Sequence, residues 1–123
     1  KHVISTTTAP GAVGPYSQAI EANGFVFVSG SFRWTRRPAH LFPAHAEQAE
    51  QSIKNLLAVL EAAGCKAEDV VKTTVFMIDI GDFGVVNEVY GKYFSGDARA
   101  LCDAGGRPAK GALVEIEAIA VKP

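Results

Sequence analysis

The run from Ala46 to Ala63 constrains this chain most. Its apolar residues Ala49, Ile53, Leu56, Leu57 and Leu60 recur at three- and four-residue spacing, and Gly64 stands where a helix C-cap belongs. The spacing predicts an amphipathic helix with one apolar stripe, which must be laid against something. The neighbouring segments supply it. Phe25 to Ser29 is a short β-rich run, and the preceding Asn23-Gly24 is a hairpin signal joining it to a strand over Tyr16 to Glu21. Val70 to Ile78 is rich in β-branched and aromatic residues and reads as a central strand, with Lys72 and Thr74 on one face and Val71, Thr73, Val75 and Met77 on the other. Asp82 is placed to cap a second helix carrying Phe83, Val86, Val89, Tyr90 and Tyr93 as its stripe. Leu113 to Val121, where Glu115 and Glu117 alternate with Val114, Ile116 and Ala118, reads as a last strand.

The order strand, strand, helix, strand, helix, strand implies an α+β sheet with both helices on one face. The opposite face is then wet or covered, and a second subunit is the simplest cover. The length favours the same conclusion, because a chain of 123 residues buries only about two thirds of its unfolded surface. No repeat or low-complexity linker divides residues 1–123, which read as one domain.

Composition narrows the function classes. A net charge of -1 offers no general attraction for nucleic acid or anionic membrane. No segment approaches the roughly 20 apolar residues of a membrane span, and Lys1-His2-Val3-Ile4 lacks the features of a secretory signal. The expected location is cytoplasmic, or mitochondrial in a eukaryote. Cys65 and Cys102 are read as reduced thiols, and His2, His40 and His45 lack metal-ligand spacing, so no metal site is assigned.

Four runs carry more than this. Ala9 to Ile20 (APGAVGPYSQAI), Ala46 to Gly64 (AEQAEQSIKNLLAVLEAAG), Val70 to Phe94 (VVKTTVFMIDIGDFGVVNEVYGKYF) and Gly111 to Val121 (GALVEIEAIAV) together resemble the Rid family, formerly YjgF, in order and spacing. The resemblance implies a chorismate-mutase-like fold of the bacillus type, with a mixed sheet and two helices on one face. It implies a homotrimer whose sheets form a central barrel, with active sites between subunits. It also implies hydrolytic deamination of reactive enamines and imines (2-aminoacrylate, 2-iminopropanoate, 2-iminobutanoate) to 2-oxo acids and ammonia, with no metal or organic cofactor.

The family's pocket tyrosine falls on Tyr16, its serine on Ser29, its asparagine on Asn87 and its catalytic glutamate on Glu115. Each has a plainer reading: a turn-edge aromatic, a strand end, a solvated helix flank and an exposed strand residue. The family's arginine, whose planar fork suits a substrate carboxylate, belongs at position 100. The chain has Ala100 there, with Arg99 one residue away. A one-residue slip in a strand turns a side chain to the other face, so Arg99 is not an automatic replacement.

Two windows depart from the family wording, about Ser31 to Ala44 and about Asp97 to Ala109. Codons chosen for Ser31 to Pro43 and read one base earlier spell Gln-Leu-Pro-Leu-Asp-Pro-Ala-Thr-Gly-Ala-Pro-Val, which is the family's loop. Codons for the second window read one base later spell Thr-Pro-Ala-Arg-Ser-Val-Thr-Gln-Val-Ala-Ala-Leu, which returns the arginine to position 100. Both windows are therefore read as frame-shifted. On that reading Cys102 and the basic cluster Arg33, Arg36 and Arg37 around Trp34, which otherwise resembles a base-stacking patch, are products of the shift. In either frame, positions 31–45 are expected to form an exposed loop.

Two other function classes remain beside the enzyme. One is a ligand-binding or regulatory trimer using the same cleft without turnover, which loss of the arginine favours. The other is RNA cleavage or translation inhibition, against which the near-neutral charge argues.

Overall fold

Asn23 and Gly24 both adopt left-handed backbone angles, φ 53° and 79°. Successive positive φ values let a two-residue turn follow the natural twist of its strands. The turn joins β2 (Ala19–Ala22) to β3 (Phe25–Phe32), with Ala22 opposite Phe25. The remaining elements of this computed structural model are β1 (His2–Ile4), α1 (Ala44–Ala62), a 3-10 turn (Ala67–Asp69), β4 (Val70–Met77), α2 (Phe83–Tyr93), β5 (Ala100–Gly105) and β6 (Val114–Val121). The structure describes residues 1–12, 14–32, 44–77, 83–94, 100–105 and 114–123, with backbone only at 31–32, 44–45, 83 and 100–105.

The strands form one sheet in the order β1-β2-β3-β6-β4-β5. All neighbours are antiparallel except β4 and β5, which run parallel. A parallel pair needs a long crossover, and α2 lies within it. The sheet is thus mixed, as expected.

Side-chain alternation assigns the two faces. Val26 and Val28 of β3, Thr73, Val75 and Met77 of β4, and Val114, Ile116, Ala118 and Ala120 of β6 are buried. The apolar members of this set form one core with Ala49, Ile53, Leu56 and Leu60 of α1 and Val86, Val89 and Tyr90 of α2. Both helices therefore cover the same face. The α1 stripe matches the sequence expectation, although the helix starts at Ala44. Its end is a Schellman motif: Cys65 N–H donates to Leu60 O at 2.9 Å and Gly64 N–H to Glu61 O at 2.9 Å, with Gly64 at φ 80°. Cys65, buried beneath this turn, is a free thiol. Burial pushes its pKa up, with the Asp69 charge acting in the same direction.

Several expectations need correction. β2 begins at Ala19 rather than Tyr16, because Tyr16 turns back to donate its N–H to Gly14 O. Val71 does not share the buried face of Thr73 and Val75; it is exposed, since a register shift between Val70 and Lys72 breaks the alternation there. Positions 31–45 do not begin or end as loop, for Ser31 and Phe32 continue β3 and Ala44 opens α1. The rest of that segment, with the Arg33, Trp34, Arg36 and Arg37 cluster, lies outside the described residues, as does Asp82, the expected cap of α2. The two edge strands β1 and β5 were absent from the sequence reading.

Candidate functional site

The β3–β6 ladder contains one irregularity. Val28 faces Ala118 and Ser31 faces Ile116, so β3 spends one more residue than β6 over the same step, and the extra length falls at Ser29-Gly30. Such bulges bend a strand and re-aim its side chains. Here the bulge joins the N-terminal loop to Glu115.

On the loop side, Ser29 Oγ donates to Ser17 O at 2.7 Å and Ser29 N–H donates to Gln18 O at 2.9 Å. Gln18 in turn grips the loop at both polar ends of its amide. Thr6 N–H donates to Gln18 Oε1 at 2.7 Å, while Gln18 Nε2 donates to Pro10 O at 2.8 Å and Thr6 O at 3.2 Å. These bonds hold the segment carrying Tyr16 over a small cleft, open to solvent, lined in part by Pro10, Gly11, Tyr16, Gln18, Ser29 and Asn55. Asn55 is buried on α1, and its Oδ1 accepts from Gln51 Nε2 at 2.9 Å. Tyr16 is 47% exposed.

On the other side, Glu115 lies next to the bulge through the pairing of β6 with β3, in which it faces Phe32. It belongs to the face that bears no helix, with Glu117, Ile119 and Val121. Its side chain folds over Gly30, where a Cβ would come within 2.6 Å of the carboxyl carbon and 2.8 Å of Glu115 Cγ. Glu115 thus meets the rim of the cleft at Gly30 without lining the cleft itself.

Of the residues expected from the sequence, Tyr16 and Ser29 share the cleft and Glu115 abuts it. Asn87 is exposed on α2 and is not among the cleft residues. Arg99 lies outside the described residues. Position 100 is the first residue of β5, with Ala100 paired to Lys72 of β4. Sequence reasoning missed Gln18, Gly30 and Asn55. Gln18 sits within the GPYSQA run yet had no assigned partner, since its bonds run to backbone groups far along the chain. Among the described residues, no three His, Cys, Asp or Glu side chains converge as a metal site, and no helix is long and apolar enough to cross a membrane.

Comparison with known proteins covers nearly the whole chain. A family model described as endoribonuclease L-PSP matches residues 6–122. A 2-iminobutanoate/2-iminopropanoate deaminase of Mus musculus is 47% identical over 125 residues, covering 99% of this chain and 92% of the mouse protein. Among solved structures, an Entamoeba histolytica putative endoribonuclease L-PSP has a TM-score of 0.88 at 42% identity, covering 98% of each chain. Escherichia coli TdcF with bound serine has a TM-score of 0.87 at 36% identity, covering 100% of each.

Proposed function

The chain belongs to the endoribonuclease L-PSP family, also called YjgF or Rid, and from that membership we propose that it is a deaminase of reactive enamines and imines. The observation that carries the reading is 47% identity, over 99% of the chain, to a protein named for deaminating 2-iminobutanoate and 2-iminopropanoate. The proposed substrates are small 2-imino acids and their enamine tautomers.

The reaction adds water to the imine carbon, giving a carbinolamine that expels ammonia and leaves a 2-oxo acid. A base must take a proton from the water and an acid must return one to the leaving nitrogen; one carboxyl group can do both in turn. Glu115 is the group we assign to this role, with Tyr16 and Ser29 as substrate-binding residues in the cleft and Asn87, exposed on α2 outside it, as a binding residue of a site completed between subunits. Ser29 acts in part through the loop, because its hydroxyl is already donated to Ser17 O. Electrostatic positioning of the charged substrate supplies most of the remaining assistance.

The helix-free sheet face is suited to association with further copies. Phe25, Phe27 and Val121 are 42%, 45% and 41% exposed on the helix-free sheet face, and such a patch favours burial against another subunit. We propose a homotrimer joined through that face, with its active sites between subunits.

The family resemblance puts the cation for the substrate carboxylate at position 100, the head of β5. There the chain has Ala100, and the frame-shifted reading of the two windows puts arginine at that position. We propose that windows 31–44 and 97–109 are shifted in frame, which resequencing the gene across both windows tests. An unshifted gene favours the second reading instead, a trimer that binds small ligands without turning them over. RNA cleavage has weaker support, because a net charge of -1 gives little attraction for a polyanion.

The test is release of 2-oxo acid and ammonia from 2-iminopropanoate, with oligomer size measured on the same sample. Acceleration over buffer by a trimer, lost in Glu115→Ala, is the expected result. A trimer that leaves the hydrolysis rate at its buffer value would move the assignment to the binding reading.

A further inference from the structure

Three glycines of this chain stand at conspicuous places, and they serve different ends. Gly24 and Gly64 have φ values of 79° and 80°, a region where a side chain is strained. Gly30 does not lie in that region. A left-handed backbone therefore does not account for the glycine there. What marks Gly30 is the space beside it. Of the described glycines it is the one whose Cβ would fall inside another residue's carboxyl group: Glu115 Oε1, Cδ and Cγ all crowd the position, Cδ at 2.6 Å and Cγ at 2.8 Å. Gly11, Gly84 and Gly91 have nothing within 4 Å of theirs.

The location gives the crowding a purpose. Gly30 is in the bulge, where β3 is displaced relative to β6, and it lines the cleft that Tyr16 overhangs. Glu115 pairs with Phe32, and with any side chain at position 30, two residues along β3, its carboxyl group would be pushed off the bulge. With glycine at 30 it lies down across the bulge and its carboxyl group meets the cleft rim at Gly30. Glu115 Cγ, at 2.8 Å, is crowded as well as the carboxyl group, so a methyl group here moves the glutamate side chain from Cγ outward and carries the carboxylate away with it. The fold survives that movement, but the carboxylate leaves its seat.

We infer that Gly30 is a positioning residue for Glu115: its missing side chain makes the seat that holds the carboxylate at the cleft, and the glycine acts on the reaction only through that glutamate. The effect on rate rests on the deaminase reading; the seat itself does not.

The experiment is a cycle of Gly30→Ala, Glu115→Ala and the double variant, followed by 2-iminopropanoate kinetics and thermal unfolding. Gly30→Ala is expected to lower kcat at least tenfold with KM within about twofold, since the carboxylate and not the substrate's anchor is displaced. The double variant is expected to match Glu115→Ala in rate. It is also expected to unfold no lower than Glu115→Ala, because the space is then vacant, whereas Gly30→Ala alone unfolds below the parent. Wild-type kcat in Gly30→Ala, or an equal fall in unfolding temperature in both backgrounds, would overturn the inference. Full activity in Glu115→Ala would sink the deaminase mechanism instead, and the unfolding cycle would still decide whether the seat exists.

Discussion

The hydroxyl of Thr73 in β4 and the phenol of Tyr90 in α2 are 2.8 Å apart inside the core, hydrogen-bonded to each other. Both residues are buried, and each satisfies a polar group that the other would leave stranded. Removing one partner should cost more than removing both. Tyr90→Phe is expected to lower the unfolding free energy by about 1–3 kcal/mol, the typical cost of an orphaned buried hydroxyl. Thr73→Val added to it should recover part of that loss, which denaturant unfolding of the four proteins measures. Additive losses would show that the two groups are satisfied independently.

Gln18 ties Thr6 and Pro10 to the start of β2 through three hydrogen bonds. Gln18→Ala should free the loop that presents Tyr16, raising KM for 2-iminopropanoate several-fold with a smaller change in kcat. Stability should fall by about 1–2 kcal/mol, since each such bond contributes roughly 1 kcal/mol net and water replaces part of it. An unchanged KM would separate the loop from substrate binding.

Tyr93 Oη donates to Glu50 Oε1 at 2.6 Å, joining α2 to α1. The bond to Tyr93 holds the Glu50 carboxyl below its usual range, helped by Lys54 and Lys92 and opposed by desolvation. The same bond, with desolvation and the Glu50 charge, pushes the Tyr93 phenol up. The signs follow by linkage. A lowered carboxylate pKa contributes stability above its unfolded value that is lost as pH falls through the folded one. A raised phenol pKa contributes stability below its unfolded value that is lost as pH rises through the folded one. The bond therefore supports the fold between roughly pH 4 and pH 10. Tyr93→Phe should lower the unfolding temperature modestly across that window, with the difference shrinking as pH falls below its acid end or rises beyond its alkaline end. A difference that is the same at every pH would assign the effect to packing.

Position 100 opens β5 opposite Lys72. If the carboxylate of the substrate is held from there, Ala100→Arg should raise kcat/KM for 2-iminopropanoate by roughly ten- to a hundredfold, the range expected of a charge-assisted bond of about 1.5–3 kcal/mol. No gain in the steady-state kinetics would place the anion site elsewhere.

Much of the fold was legible because its signals are local. Asn23-Gly24 marks a turn whatever surrounds it, Gly64 ends α1 through bonds to Leu60 and Glu61, and the alternation of Val114, Ile116 and Ala118 with Glu115 and Glu117 shows which side of β6 is buried. β1 and β5 escaped notice because short edge strands owe their pairing to distant partners, His2 to Glu21 and Ala100 to Lys72. Val71 misled because one shifted residue in the β4–β6 register reverses a side chain without any mark in the sequence. At the site, family resemblance named Tyr16, Ser29, Asn87 and Glu115, of which Tyr16 and Ser29 line one cleft and Glu115 abuts it. Gly30 and Gln18 were silent, since the first works by having no side chain and the second by binding backbone atoms.

The rate at which 2-iminopropanoate yields pyruvate and ammonia in the presence of this chain, with Glu115→Ala measured beside it, decides whether the protein is a deaminase that works through Glu115. The expected rate is well above that in buffer and is reduced at least a hundredfold in kcat by the substitution, in keeping with the usual contribution of a general acid–base group. Equal rates for the chain and for buffer, or undiminished turnover in Glu115→Ala, would contradict that reading.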